Sequence, residues 1–135
     1  MNSFSIDVSF PPFLIELKEA KKKFPSFPKH DLPATFEILE KNPRAGDQIP
    51  RVGADVFKIR IGVKGQFGKS GGYRLIYHVD MERLVITPIA LYFKPDTPNL
   101  SDSEVAERFI KLLDFILQTK LDQIKSEGTP QLPDT

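Results

Sequence analysis

The chain has no cysteine, which excludes both a disulfide framework and a cysteine-built zinc site. It has two histidines, His30 and His78, too few for a metal centre built on imidazole. No apolar run approaches the roughly 20 residues that span a bilayer. The opening MNSFSIDVSF has no basic stretch ahead of an apolar one. No Ser-His-Asp set or paired-carboxylate site supports a hydrolase, and no internal repeat is present. The expectation is a cytoplasmic protein with no metal, no cofactor and no membrane partner.

What is there is ordinary in bulk and uneven in detail. With 135 residues, 40% hydrophobic and 27% charged, the chain suits one globular domain. We place that domain at 1–127, with 128–135 as a flexible tail. Net charge is +1, but Val56–Lys94 holds seven basic and two acidic residues. Pro95 to the C-terminus holds four basic and eight acidic. A basic middle beside an acidic end hints at a face for a polyanion.

Gly68-Lys69-Ser70 resembles the end of a phosphate-cradling loop. The pattern then needs glycine at position 63, which is Val63, and a helix to follow. Tyr73-Arg74-Leu75-Ile76-Tyr77-His78-Val79 follows instead and reads as a strand. A glycine-rich turn between strands is the better account.

SFSIDVSF alternates as a half-buried strand, ended by Pro11-Pro12, with Pro12 suited to a first helical turn. Phe13, Leu14, Leu17, Ala20 and Phe24 recur at helical spacing. Asp31 can cap a second helix with Pro33 near its start, ending by Pro43 and Gly46. Three strands follow, Val56–Val63, Tyr73–Val79 and Leu84–Lys94, the last pair joined tightly through DMER. Pro88 inside the third suggests an edge or a bulge. Ser101 and Glu104 form a capping box for a last helix whose apolar stripe runs from Val105 to Ile124. The fold expected is α+β: an antiparallel sheet of about four strands, two N-terminal helices and a C-terminal helix.

Strand parity then sorts the side chains. Phe57, Ile59, Ile61 and Val63 share one face, leaving Lys58, Arg60 and Lys64 opposite. Arg74, Ile76 and His78 oppose Tyr73, Leu75, Tyr77 and Val79. Tyr92 and Lys94 oppose Leu91 and Phe93. Lys58, Arg60, Arg74, Tyr92 and Lys94 therefore project from one face, with no carboxylate on the strands to neutralise them. Like charges across strands repel, so the face suits a polyanion unless loop carboxylates reach over. The plain alternative is a sheet with one wet face.

The stretch NPRAGDQIPRVGADVFKIRIGVKGQFGKSGGYRLIYHV, followed by ITPIALYFKPDTPNLSDSEV, resembles toxins of the RelE/ParE superfamily in its HigB-like branch. The resemblance covers roughly Asp31 to Val105. It rests on the Asn-Pro…Gly-Asp turn, Lys58-Ile59-Arg60, the GKSGGYR run and Leu91-Tyr92-Phe93-Lys94 before NLS. It implies a RelE-like toxin of a type II toxin–antitoxin pair that cuts mRNA on the ribosome without metal. Its partners would be mRNA, the ribosome and a cognate antitoxin, often of helix-turn-helix type.

Metal-free cleavage turns a 2′-OH against the adjacent phosphorus, leaving a 2′,3′-cyclic phosphate and a free 5′-OH. It needs a base, an acid and cations for the phosphorane. A lysine among cations can be base or acid, and arginine clamps phosphate oxygens. By position Arg74 is the transition-state clamp, Lys58 and Arg60 hold phosphate with one assisting the 2′-OH, Lys94 serves the leaving oxygen and Tyr92 orients a base. Lys64, Lys69 and His78 are candidates for RNA contact. A strand histidine is more often structural, and Lys69 can equally serve only to keep a glycine turn soluble. Two rivals are a ParE-type gyrase inhibitor and a non-catalytic RNA-binding remnant.

Overall fold

The computed structural model describes residues 3–97 and 99–128. Most of the expected tail, from 129 onward, lies outside the described residues. The elements are β1 (Ser5–Ile6), α1 (Pro11–Lys23), α2 (Leu32–Lys41), β2 (Asp47–Gln48), β3 (Val56–Ile61), β4 (Tyr73–Asp80), β5 (Val85–Phe93) and α3 (Asp102–Glu127). They form an α+β architecture on one sheet in the order β1-β5-β4-β3-β2.

The β3-β4-β5 meander is antiparallel as expected. Two features depart from the sequence reading. β1 lies parallel to β5, pairing Ser5 with Val85 and Ile6 with Ile86. β2 adds a fifth strand of only two residues, too short to leave a periodic signal. β1 is also shorter than its alternation suggests. The Asp7 carboxylate accepts from the Ser9 N–H and hydroxyl at 2.9 and 2.6 Å, which turns the chain away.

α1 starts at Pro11-Pro12 and buries Phe13 and Ala20. Beyond its end, Phe24 packs tilted on Phe93 and edge-on to Tyr73, with ring centroids 5.2 and 6.2 Å away. A π-helical turn, Phe27–Asp31, runs straight into α2. That continuity corrects the expected role of Asp31. It is already helical, with φ −71° and ψ −43°, and makes no side-chain cap. Its carboxylate instead accepts the Lys64 N–H at 3.2 and 3.3 Å, tying α2 to the chain beyond β3.

Pro88 sits at a bulge. The β4–β5 register shifts between Ile76, opposite Ala90, and Tyr77, opposite Pro88, so Ile89 is the extra residue. β1 pairs no further than Ile86, and among the described residues no strand covers the edge of β5 beyond it. Two helices close that edge instead. Glu16 Oε1 accepts the Leu91 N–H at 3.0 Å, and Arg108 donates to Ile89 O at 2.8 Å and to Glu16 at 3.0 Å. Arg108→Ala strands a partly buried carboxylate and a carbonyl together. It is expected to lower unfolding stability by about 1–3 kcal/mol, read from urea melts. Glu16→Gln, which keeps an acceptor for Leu91, is expected to lose less.

The Ser101–Glu104 capping box forms as read and starts α3 at Asp102. Val105 and Leu112 are buried, and Phe115 meets Phe10 at 5.8 Å between centroids. From Leu117 to Glu127 every residue is exposed, Leu117, Leu121 and Ile124 among them. The apolar stripe is continuous, but the body beneath it is not.

Candidate functional site

Directly opposed residues in an antiparallel sheet share a face. Arg60 opposes Arg74, and Arg74 opposes Tyr92, giving one row across β3, β4 and β5. Lys58 stands two residues away on the same face, opposite Ile76. Lys94 follows the end of β5, its N–H donating to Gly72 O at 3.0 Å. The other face carries Ile61, Tyr73 and Phe93, with Ile59, Leu75 and Leu91 in the next row.

The cationic face is not open along its whole length, because α3 crosses it. Ile76 and Ala90 are buried beneath it, and the Phe109 ring lies on His78 at 5.0 Å. What stays open is a cleft of about 270 Å³ between the sheet, β2 and the first turn of α3. Lys58, Arg60, Arg74 and Lys94 line it, joined by Asp47, Asn99 and Asp102. Sequence patterning does not single out these last three as site residues: Asp102 is legible only as part of a helix start, and Asp47 only as the end of a turn. Carboxylates thus do approach, from β2 and the start of α3 rather than from loops, yet among the described residues none forms a salt bridge with the four cations.

Arg74 is 2% exposed. Its Nη1 donates to Lys69 O at 2.9 Å and Tyr73 O at 3.2 Å, and its Nη2 to Ser70 O at 2.8 Å. Burial, and then the neighbouring Arg60, lower its pKa from a value so high that the group stays charged. The glycine-rich loop is therefore the reverse of a phosphate cradle. Its carbonyls turn inward and hold a cation, where a phosphate loop turns in its N–H groups.

Tyr92 is buried too, with its hydroxyl donating to Asn99 Oδ1 at 3.3 Å. Burial raises its pKa, while the Leu100 backbone and Arg74 act in the opposite sense. Only 7% of Tyr92 is exposed, and it does not line the cleft, so in this conformation little of its ring is open to a base there. Lys64 and Lys69 line a second, wider groove of about 1040 Å³, which shares Lys58 and Arg60 with the cleft. His78 lies apart from both, half-buried against α3, and burial lowers its pKa. At neutral pH it is an uncharged aromatic partner for Phe109, and the geometry gives it no access to the cleft.

No protein-family model matches the chain, and no curated protein does. Among solved structures it is similar to a doubly substituted mutant of the Escherichia coli toxin RelE in the free state. The two share 19% identity over 86% of this chain and 99% of that one, with a TM-score of 0.47. No helix among the described residues is long and apolar enough to cross a membrane.

Proposed function

We propose that the chain is a cytoplasmic ribonuclease toxin of the RelE/ParE superfamily, of the HigB-like branch. It cuts mRNA during translation and is held in check by an antitoxin. The observation that carries this reading is the row Arg60–Arg74–Tyr92, flanked by Lys58 and Lys94 around one cleft. Cations without carboxylate partners suit a phosphate that gains charge as it reacts.

Three of the five guanidinium N–H groups of Arg74 go to carbonyls, which leaves two for phosphate oxygens. Fixing the group in advance means that little reorganises as phosphorane charge develops. Lys58, in its uncharged amine form, takes the 2′-OH proton as that oxygen attacks phosphorus. Arg60, exposed at the rim, holds the adjacent phosphate. Lys94 gives a proton to the departing 5′-oxygen, and a 2′,3′-cyclic phosphate remains. Tyr92 acts through Asn99, holding the amide at the cleft wall.

The test is 5′-end mapping of cellular mRNA after brief induction of wild type and of an Arg60→Ala/Lys94→Ala variant. Both side chains are exposed, so the variant keeps its core. New ends inside reading frames in wild type only are the expected result. Growth arrest without new ends would move the target to gyrase. Salt-sensitive RNA binding with neither arrest nor cutting would mark a non-catalytic remnant.

A further inference from the structure

α3 carries a second apolar stripe that the described residues leave uncovered. Ile110, Leu113, Leu117, Leu121 and Ile124 are 43–65% exposed. At about 100° per residue they fall within an arc of roughly 80°. That arc lies roughly a third of a turn from Val105, Phe109, Leu112 and Ile116, which pack against the core. From Leu117 to Glu127 the helix is exposed all round. So short a length is marginal as a helix in water unless something packs on it.

The stripe has an internal symmetry. Its steps are three, four, four and three residues, so it reads the same in both directions from Leu117. Three-four-four is also the spacing that keeps to one face of a nearly straight helix. No polar residue between Ile110 and Ile124 falls inside the arc.

We infer that this stripe is the interface for a second copy of the chain, with the two helices antiparallel about a two-fold axis at Leu117. Leu117 then lies level with Leu117 of the second copy, Leu113 with its Leu121 and Ile110 with its Ile124. A two-fold contact requires a stripe that matches itself when reversed, whereas a foreign partner requires no such symmetry. Charge on the flanks agrees. Lys125 of the second copy comes two positions from level with Glu107, on the same side of the seam, and the pair repeats at the other end. Lys111 lies farther round the helix, away from the seam. Between Ile110 and Glu127, Lys111, Lys120 and Lys125 balance Asp114, Asp122 and Glu127. A neutral stripe has nothing to draw it to an anionic membrane or to a highly charged partner. The bare end of each helix thereby gains the packed half of the other to rest on. The second helix ends level with Glu107, short of Asp102 and Val105 at the cleft wall. The two clefts would stand roughly 45 Å apart along the paired helices. None of this rests on the ribonuclease reading.

The test is sedimentation of the full-length protein with cysteine cross-linking, which the absence of native cysteine keeps clean. Wild type is expected to pass from monomer to dimer across about 5–500 µM. Leu117→Glu, at an exposed position, is expected to stay monomeric and to keep the wild-type circular dichroism at low concentration. Under mild oxidation Leu117→Cys is expected to link to itself, and Ile110→Cys to link to Ile124→Cys. Ile124→Cys alone is expected not to link, because its two copies lie roughly 21 Å apart, far beyond disulfide reach. A monomer at every concentration would overturn the inference, and so would self-linked Ile124→Cys, the mark of a parallel pair. A dimer that Leu117→Glu leaves intact would move the interface elsewhere. A monomer that sediments with phosphatidylcholine vesicles, or that takes up only amphipathic peptides on this stripe, would give the face to another occupant and equally overturn it. The mapping of mRNA ends is independent: a monomer that cuts loses only this inference, and a dimer that does not cut loses only the nuclease reading.

Discussion

Gly72→Ala is expected to cost about 2–4 kcal/mol of unfolding stability, whereas Gly68→Ala is expected to stay within about 0.5 kcal/mol. The contrast arises within one loop. A Cβ at Gly72 would run into the Ile61 carbonyl oxygen and lie 3.1 Å from the Gly62 Cα. Both obstacles are backbone, and Ile61 is paired with Tyr73 in the β3–β4 ladder, so neither can swing aside. A Cβ at Gly68 would meet nothing within 4 Å. Urea melts of the two variants read the difference directly. Equal stabilities would mean that β3 and β4 do not close at Gly72 as described.

The Arg74 variants should separate folding from chemistry. Arg74→Met is expected to destabilise by about 2–4 kcal/mol, because the Lys69, Ser70 and Tyr73 carbonyls lose their donors around a buried site. Arg74→Lys keeps a charge and some of those bonds but loses the planar fork. It is expected to fold with a loss of about 1 kcal/mol. Its cleavage rate is expected to fall about 10²–10³-fold, as when a preorganised oxyanion donor is removed. Thermal melts beside quantified mRNA ends decide the matter. A Lys variant that cuts at the wild-type rate would remove Arg74 from the chemistry and leave it a clasp for its loop.

The meander could be read from the sequence because parity is a local property. Phe57 to Ile61 and Tyr73 to Val79 announce which residues share a face, and the register agrees. Parity says nothing of what covers a face. That is why the burial of Arg74 and Tyr92 beneath the start of α3 and the neighbouring chain stayed hidden. β2 leaves no sequence mark because two residues cannot show a period, and the parallel seat of β1 depends on partners some 80 positions away. The stripe on α3 reads correctly as a helix, but periodicity continues past Ile116, where the packed body stops. Asp47 and Asp102 reach the cleft only through tertiary placement. The inward carbonyls of the glycine loop depend on backbone orientation, which residue identity there does not fix.

The clip of Glu16 and Arg108 on β5 has a consequence for behaviour in concentrated solution. Ile89 O and Leu91 N–H form a short bare stretch of strand that would otherwise face outward. With the clip released, neighbouring molecules could zip onto that stretch. Light scattering, rather than a melt, would then be the first sign that Arg108 had been lost. In that sense one partly buried ion pair helps keep the chain colloidally well behaved.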